Sequence, residues 1–313
     1  MMSVQEIAHQ AEHTAAEAGQ KFDASKVIIE HVSNAPEHPL IHLPRIFGID
    51  FSVTKHVFML WLVAVLVFVV VVWVVRRYLR QDRLVPSGFM NALEFVVEFV
   101  RDEIVQPNVG RKWVNTWTPL VLTFFIFILC ANGIGLIPIF DVVGLLDHYV
   151  LHTAEDSFVK HMIHGGTTAT ANFNVTAALA TVTFGAIIVA GTLAHGFVKH
   201  WKNLVPHGMA WPIYIILIPI EILGMFVRPF ALTMRLAANM TGGHIAILAI
   251  LSFVFLFAEL FGRAMAGIGV GLVVSVPLAV GISALEIIVV LIQAYVFTLL
   301  TAVFIGMAIH VHH

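Results

Sequence analysis

The sequence predicts an all-α integral membrane protein, with about five transmembrane helices and one amphipathic interfacial helix. Three observations carry this reading. Hydrophobic residues make up 59% of the 313 residues and charged residues only 12%, with a mean hydropathy of +0.92. Several uncharged apolar runs are long enough to cross a bilayer as helices, and the one mixed stretch repeats its apolar residues at helical spacing. A soluble domain has about 45–50% apolar residues, glycine included, and about 25% charged ones. Half the usual charge cannot cover a water-facing surface of this size, which excludes an ordinary soluble enzyme. Disorder is excluded too, because it needs few apolar residues and high net charge. A net charge of −2 gives no electrostatic footprint for nucleic acid. The single cysteine, Cys130, cannot form an intrachain disulfide and belongs to no Cys-based metal motif. No metal site and no cofactor are expected.

Residues 1–50 lack the basic segment followed by an apolar run that marks a signal peptide. They read as an external polar segment, with Met1 to Lys21 either an amphipathic helix or a partly ordered tail. Residues 51–313 read as a single membrane domain. Val57 to Val75 carries no charge and is the first span, since about 20 apolar residues cross about 30 Å of hydrocarbon. Arg76, Arg77, Arg80 and Arg83 follow it. The positive-inside rule puts that end in the cytoplasm and the N-terminus outside. In residues 87–106, Phe89, Leu93, Val96, Val97, Val100 and Ile104 recur at helical spacing among Glu94, Glu98, Arg101 and Asp102. This pattern fits a helix lying in the cytoplasmic interface or one packed on the protein itself. Trp113 and Trp117 beside Arg111 and Lys112 resemble an interfacial belt.

Residues 118–140 form the second span, with Asn132, Gly133 and Gly135 in its outer half, where small residues permit close helix packing. Residues 141–171 read as a polar, histidine-rich external loop, and residues 172–194 as the third span. Residues 195–207, with Lys199, Lys202 and three histidines, read as cytoplasmic. Two apolar stretches of about 46 residues follow, 212–258 and 264–309. As straight helices each is about 70 Å long, over twice the hydrocarbon thickness. Each therefore bends back or lies steeply inclined, and hydropathy leaves five spans or seven open. Either count puts the C-terminus in the cytoplasm.

The charges inside these two stretches are the main functional signal. An ionised side chain near the bilayer centre costs about 2.5–3.5 kcal/mol on insertion scales, so such residues face water, a cavity or a partner charge. At 100° per residue, Glu221, Arg228, Arg235 and Asn239 fall within about 40° of one helix face. His244 lies about 180° from Arg235 unless Gly242-Gly243 distorts the helix. Glu286 and Gln293, seven apart, share a face. Arg235 keeps its proton at any cellular pH and cannot relay one, but it can act as a fixed cation that favours the ionised form of a passing carboxylate. Glu286 and His244 can exchange protons. Bland readings stand beside these: Arg228, next to Pro229, fits a snorkelling residue equally well. Glu259 and Arg263 fit a boundary ion pair, and His152, His161 and His164 a solvated loop. His310, His312 and His313 fit a frayed tail.

The segment RPFALTMRLAANMTGGH, Arg228 to His244, resembles the signature of subunit a of F-type ATP synthases, with Pro219-Ile220-Glu221 and Arg228-Pro229 at the upstream positions. FILCANGIGLIP (127–138) is similar to that family's Asn/Gly-Leu-Ile-Pro helix end, and TATANFNVTAALA (168–180) to its next helix start. Glu286 and Gln293 match its last-helix pair. Ala237-Ala238 departs from the bulkier Phe-Ala common before the Asn, and the N-terminal 40 residues and the loop at 141–171 exceed a minimal member.

The resemblance implies five spans, with the last two helices long and steeply inclined against a ring of c subunits. It implies that Arg235 faces a ring carboxylate and that His244, Glu286, Asn239 and Gln293 line a half-channel open to the outside. Glu221 would belong to the cytoplasmic half-channel. Implied partners are the c-subunit ring, the peripheral-stalk b subunits, the remaining synthase subunits and membrane lipid, in the plasma (inner) membrane of a bacterium. The ring would set the choice of proton or sodium. No P-loop pattern occurs, so a non-catalytic subunit is expected. The rival class is a stand-alone proton-coupled secondary transporter, which commonly shows paired repeats. No second copy of the Arg-Asn-His segment occurs in the first half.

Overall fold

A computed structural model describes residues 52–80, 88–136, 168–202, 211–260 and 264–310. The readings made above for residues 1–50, for Arg263 and most of the 141–171 loop, and for His312 and His313 lie outside these residues, as does the side chain of Glu259. The helices are α1 (Lys55–Leu79), α2 (Phe89–Glu98), α3 (Gln106–Val109), α4 (Val114–Leu136), α5 (Phe173–His195), α6 (Phe197–Lys202), α7 (Trp211–Leu260) and α8 (Ala264–Ile309). A π-helical segment, Phe99–Val105, joins α2 to α3, and a 3₁₀ turn, Ala169–Ala171, precedes α5. Five of these helices are long and apolar enough to cross a membrane. With helices throughout and no sheet among the described residues, the chain is an all-α integral membrane protein.

Each long apolar stretch is one unbroken helix, of 50 residues in α7 and 46 in α8. Among the described residues the count of candidate spans is therefore five. Pro219 and Pro229 in α7 and Pro277 in α8 do not end them. Proline removes the backbone donor to the carbonyl four residues earlier, a loss that a membrane-spanning helix tolerates. The hydroxyl of Thr233 donates to the Pro229 carbonyl at 3.0 Å. Other spans use the same device to keep hydroxyls satisfied: Thr118 donates to Val114, Thr298 to Ala294 and Thr301 to Phe297.

The core lies where α4, α5, α7 and α8 meet. Val121, Ile128, Ala190, Leu236, Ala294, Ala302 and Ile305 are fully buried there. Lipid tails are as apolar as leucine, so release of water does not drive this contact; close packing does, and small residues permit it. The outward face of α1 is the opposite case. Trp61, Val65, Phe68, Val69 and Trp73 are exposed and suit lipid. α1 ends in Arg76 and Arg77, and the Arg77 guanidinium lies over the Trp73 ring at 5.3 Å.

The amphipathic segment divides its two sequence readings along its length. Phe89 and Phe95 of α2 are exposed, while Val100, Ile104 and Val105 of the π segment are buried against α4 and α8. A π turn takes more residues than an α turn, so it rotates the apolar stripe toward the protein at that point. Gly110, at φ 82°, closes α3 and turns the chain into α4. This left-handed conformation strongly favours glycine. The end of α8 is tied down on the same side. The Gly306 position abuts the Asn108 carbonyl, and His310 Nε2 is 3.1 Å from the Val109 carbonyl. His195 Nε2 reaches the Ile309 carbonyl at 2.9 Å. His310 is thus held, contrary to the frayed tail its position suggests.

Candidate functional site

α7 and α8 form the most extensive helix pair, and their facing sides carry the polar residues. Asn239 Nδ2 donates to Gln293 Oε1 at 3.0 Å, a side-chain bridge between the two helices. Glu286, one turn-pair earlier on α8, is 7% exposed. Its carboxyl lies directly against the α7 backbone at Gly243, where a Cβ would collide with Oε1. Gly243 therefore supplies room for Glu286, and the helix stays unbroken there. Asn239, Glu286 and Gln293 line one narrow crevice with Asn132, Leu236 and Met240. Its free space is about 10 Å³, at the threshold for a single water.

His244 turns to a different neighbour. Its Nε2 is 2.8 Å from the hydroxyl of Thr168, at the start of the 3₁₀ turn. Arg235 sits one turn before Asn239 on the open side of α7 and is exposed. No ion pair reaches it among the described residues. Exposed Ala231, Met234 and Ala238 flank it, and their short or flexible side chains leave the guanidinium accessible. Arg228, one face-repeat earlier, is half-buried, with its guanidinium over the Phe304 ring of α8 at 5.6 Å. This contact is specific, beyond simple snorkelling. Glu221 is half-buried but 14 residues from Arg235, about 21 Å along the helix. It does not line the crevice of Asn239, Glu286 and Gln293. The structure thus brings Asn239, Gln293 and Glu286 together and sets His244 beside them. Arg235 lies on the outer surface, and Glu221 is far along α7.

Four residues of this region carry no function in the sequence reading. Asn132 of α4 is fully buried and accepts from the Thr170 hydroxyl through Oδ1, while its Nδ2 has no partner. A buried amide with an unmet donor, lining the Glu286 crevice, is a polar lining group in its own right. An Asn in an apolar run is its sequence signal, and helix packing accounts for it equally well. Thr168 and Thr170 are buried, although their stretch reads as the end of a polar loop. His56, at the head of α1, is 3% exposed and lies 3.2 Å from the Thr168 carbonyl. At the edge of an apolar run, a histidine is indistinguishable in sequence from an interface residue.

These features define a class: a multi-span helical membrane protein whose last two helices carry an exposed fixed cation and, apart from it, a buried carboxyl, an imidazole and an amide pair. Comparison with known proteins gives the family. Residues 57–306 match the family described as ATP synthase A chain. The chain is 38% identical over 294 residues to the "ATP synthase subunit a 2" of Chlorobium luteolum, covering 91% of this chain and 76% of that protein. It is 37% identical over 306 residues to the protein of the same description from Prosthecochloris aestuarii, covering 95% and 83%. It is 37% identical to the "ATP synthase subunit a" of Anaeromyxobacter dehalogenans, covering 99% and 78%. The chain belongs to the ATP synthase subunit a family. It is a multi-pass bacterial membrane protein of the proton-transport machinery of ATP synthesis.

Proposed function

We propose that the chain forms two offset half-channels against a rotating ring of c subunits and couples proton flow to rotation. Protons arrive from outside past His244 and Glu286, with Asn239 and Gln293 lining the route. They are taken up by a carboxylate on the ring. Rotation then carries each neutral carboxyl through lipid, where a charged one is too costly. On its return the carboxyl meets Arg235, whose fixed charge favours the ionised form, and the proton leaves past Glu221 to the cytoplasm. Arg235 also blocks direct leakage, because it can neither release a proton nor tolerate a second cation beside it. The driving force is about 2.3 kcal/mol per charge per 100 mV. The chain itself is non-catalytic. The N-terminus lies outside and the C-terminus in the cytoplasm. The peripheral-stalk b subunits are its other partners.

The observation that carries this reading is Arg235, an arginine on an apolar helix, exposed and without an ion pair among the described residues, one turn from the Asn239–Gln293 bridge. A cation at that place needs an anion from another protein. The length of α7 and α8 agrees, since helices of about 70 Å suit an inclined pair lying against a curved surface. The test is Arg235→Ala in membrane vesicles that hold the complete complex. ATP-driven proton pumping is expected to vanish with assembly intact, and passive proton leak to rise. Normal coupled pumping in this variant would return Arg235 to a structural role.

A further inference from the structure

We infer that Thr168 is a positioning residue for His244, and that His56 of α1 and Gly135 of α4 hold Thr168 in that role. This rests on the proton path proposed above and assigns to it a residue outside α7 and α8.

Thr168 is fully buried and contacts three elements beyond its own turn. Its hydroxyl lies 2.8 Å from His244 Nε2 on α7. Its carbonyl lies 3.2 Å from His56 Nδ1 on α1. A carbonyl oxygen only accepts, so His56 Nδ1 carries the hydrogen of that bond. On α4, a Cβ at Gly135 would collide with the Thr168 hydroxyl, Cβ and Cγ2. The side chain can reach His244 only because α4 is bare at that point. The turn that follows is fastened as well. Thr170 bonds to Asn132 on α4, and the Thr241 hydroxyl of α7 donates to the Ala171 carbonyl at 3.3 Å. Asn172 then caps α5 by accepting from the Asn174 amide at 2.8 Å.

A hydroxyl suits this partner for a specific reason. It both donates and accepts, whereas an imidazole nitrogen does one or the other according to its proton. Thr168 can donate to a bare Nε2 and accept from a protonated one. The bond therefore survives both states of His244, and the ring keeps its orientation as a proton passes. A carboxylate or an amide nitrogen would match only one state. Of the titratable groups on the surrounding elements, His56 on α1 meets the Thr168 carbonyl and Glu286 on α8 lies against Gly243, the residue before His244.

The experiment compares Thr168→Val and Thr168→Ser with wild type in vesicles holding the intact complex. ATP-driven proton pumping is measured across pH, with subunit content determined in the same membranes. Val keeps the shape and removes the hydroxyl. It should assemble, pump about tenfold more slowly, and show a shifted pH profile. Ser restores the hydroxyl and should restore rate and profile together. Should Val fail to assemble, Thr168→Ala is read in its place with the same expectations. Wild-type pumping and profile in the hydroxyl-free variant would overturn the inference. So would equal impairment in Ser and Val, which would make the methyl group the part that matters. Arg235→Ala in parallel separates the two levels. If it is inactive while Thr168→Val is normal, only the positioning role falls. If it pumps normally, the proposed path falls and the role of Thr168 with it.

Discussion

Arg235, Asn239 and His244 lie within three turns of one helix, yet each meets a different environment. Arg235 is open to the outside of the helix pair, Asn239 bridges to α8, and His244 reaches the turn before α5. The bridge is the easiest to probe. Gln293 is 5% exposed, so removing its donor leaves a buried carbonyl oxygen without its partner. Asn239→Ala is expected to destabilise the solubilised complex by about 1–3 kcal/mol, read as a lower thermal midpoint. Coupling is checked by Gln293→Ala and the double variant. The two single effects should exceed the double effect, and additivity within about 0.5 kcal/mol would show that the bridge contributes nothing.

His200 carries a second prediction at this scale. It lies outside the spans, on α6, 6% exposed, with its ring seated where α5 is bare at Gly191. Its Nε2 has no partner. Burial, and then the neighbouring His195, lowers its pKa from the ordinary value of 6.5. The folded form therefore binds the proton less readily than the undocked form. Docking of α6 is fully stable above about pH 6.5 and weakens as the pH falls below it toward the lowered value. Trp201, whose ring lies 5.7 Å from that of His200, reports the change. Its fluorescence should alter between pH 7.5 and 5.5, and His200→Gln should abolish that dependence (both pH limits are approximate). A flat response in the wild-type protein would mean that His200 is not the titrating group.

Element by element, close approaches depend on glycines that meet different atoms. Gly306 faces the backbone carbonyl of Asn108, and Gly191 faces the His200 side chain. A backbone cannot swing aside, whereas a ring on the short helix α6 can. Gly306→Ala is therefore expected to cost about 1–3 kcal/mol and to lower the amount of assembled complex. Gly191→Ala should mainly release α6. The readout is subunit content together with proteolysis near α6. Equal damage from the two changes would contradict this reading of the contacts. The π segment at Phe99–Val105 belongs to the same scale. It lets one amphipathic run serve lipid at Phe89 and Phe95 and the core at Val100 and Ile104.

Over the whole molecule, exposed large apolar side chains run along α1, α5, α7 and α8. Lipid accounts for the outer face of α1. The α7–α8 pair is different, because it exposes Arg235, flanked by Ala231, Met234 and Ala238 on an otherwise apolar helix. A lipid-facing cation without a partner is costly, so a protein with an acidic group is expected beside it. Mild detergent extraction should recover the chain with a ring of small hairpin subunits. Recovery of the chain alone, active in proton-coupled uptake of a solute, would favour the stand-alone transporter.

Much of this was legible in one dimension. Composition and uncharged runs suffice for an all-α membrane fold, because hydrophobic length is a local property. Arg235, Glu286 and His244 announce themselves because a titratable or charged residue inside an apolar run is costly wherever the helix lies. Helical angles also indicate that Arg235 and His244 look in different directions, since an unbroken helix turns by a constant step. Five spans against seven stayed open, because hydropathy is the same for a bent and a straight helix. Among the described residues, the continuity of α7 and α8 gives five. The partners of the polar residues needed three dimensions. Asn239 and Gln293 are 54 residues apart, Thr168 and His244 are 76, and His56 and Thr168 are 112. Periodicity records which face of a helix a residue occupies. It does not record the rotation and axial register of one helix against another, which packing around glycines such as Gly135 and Gly243 establishes.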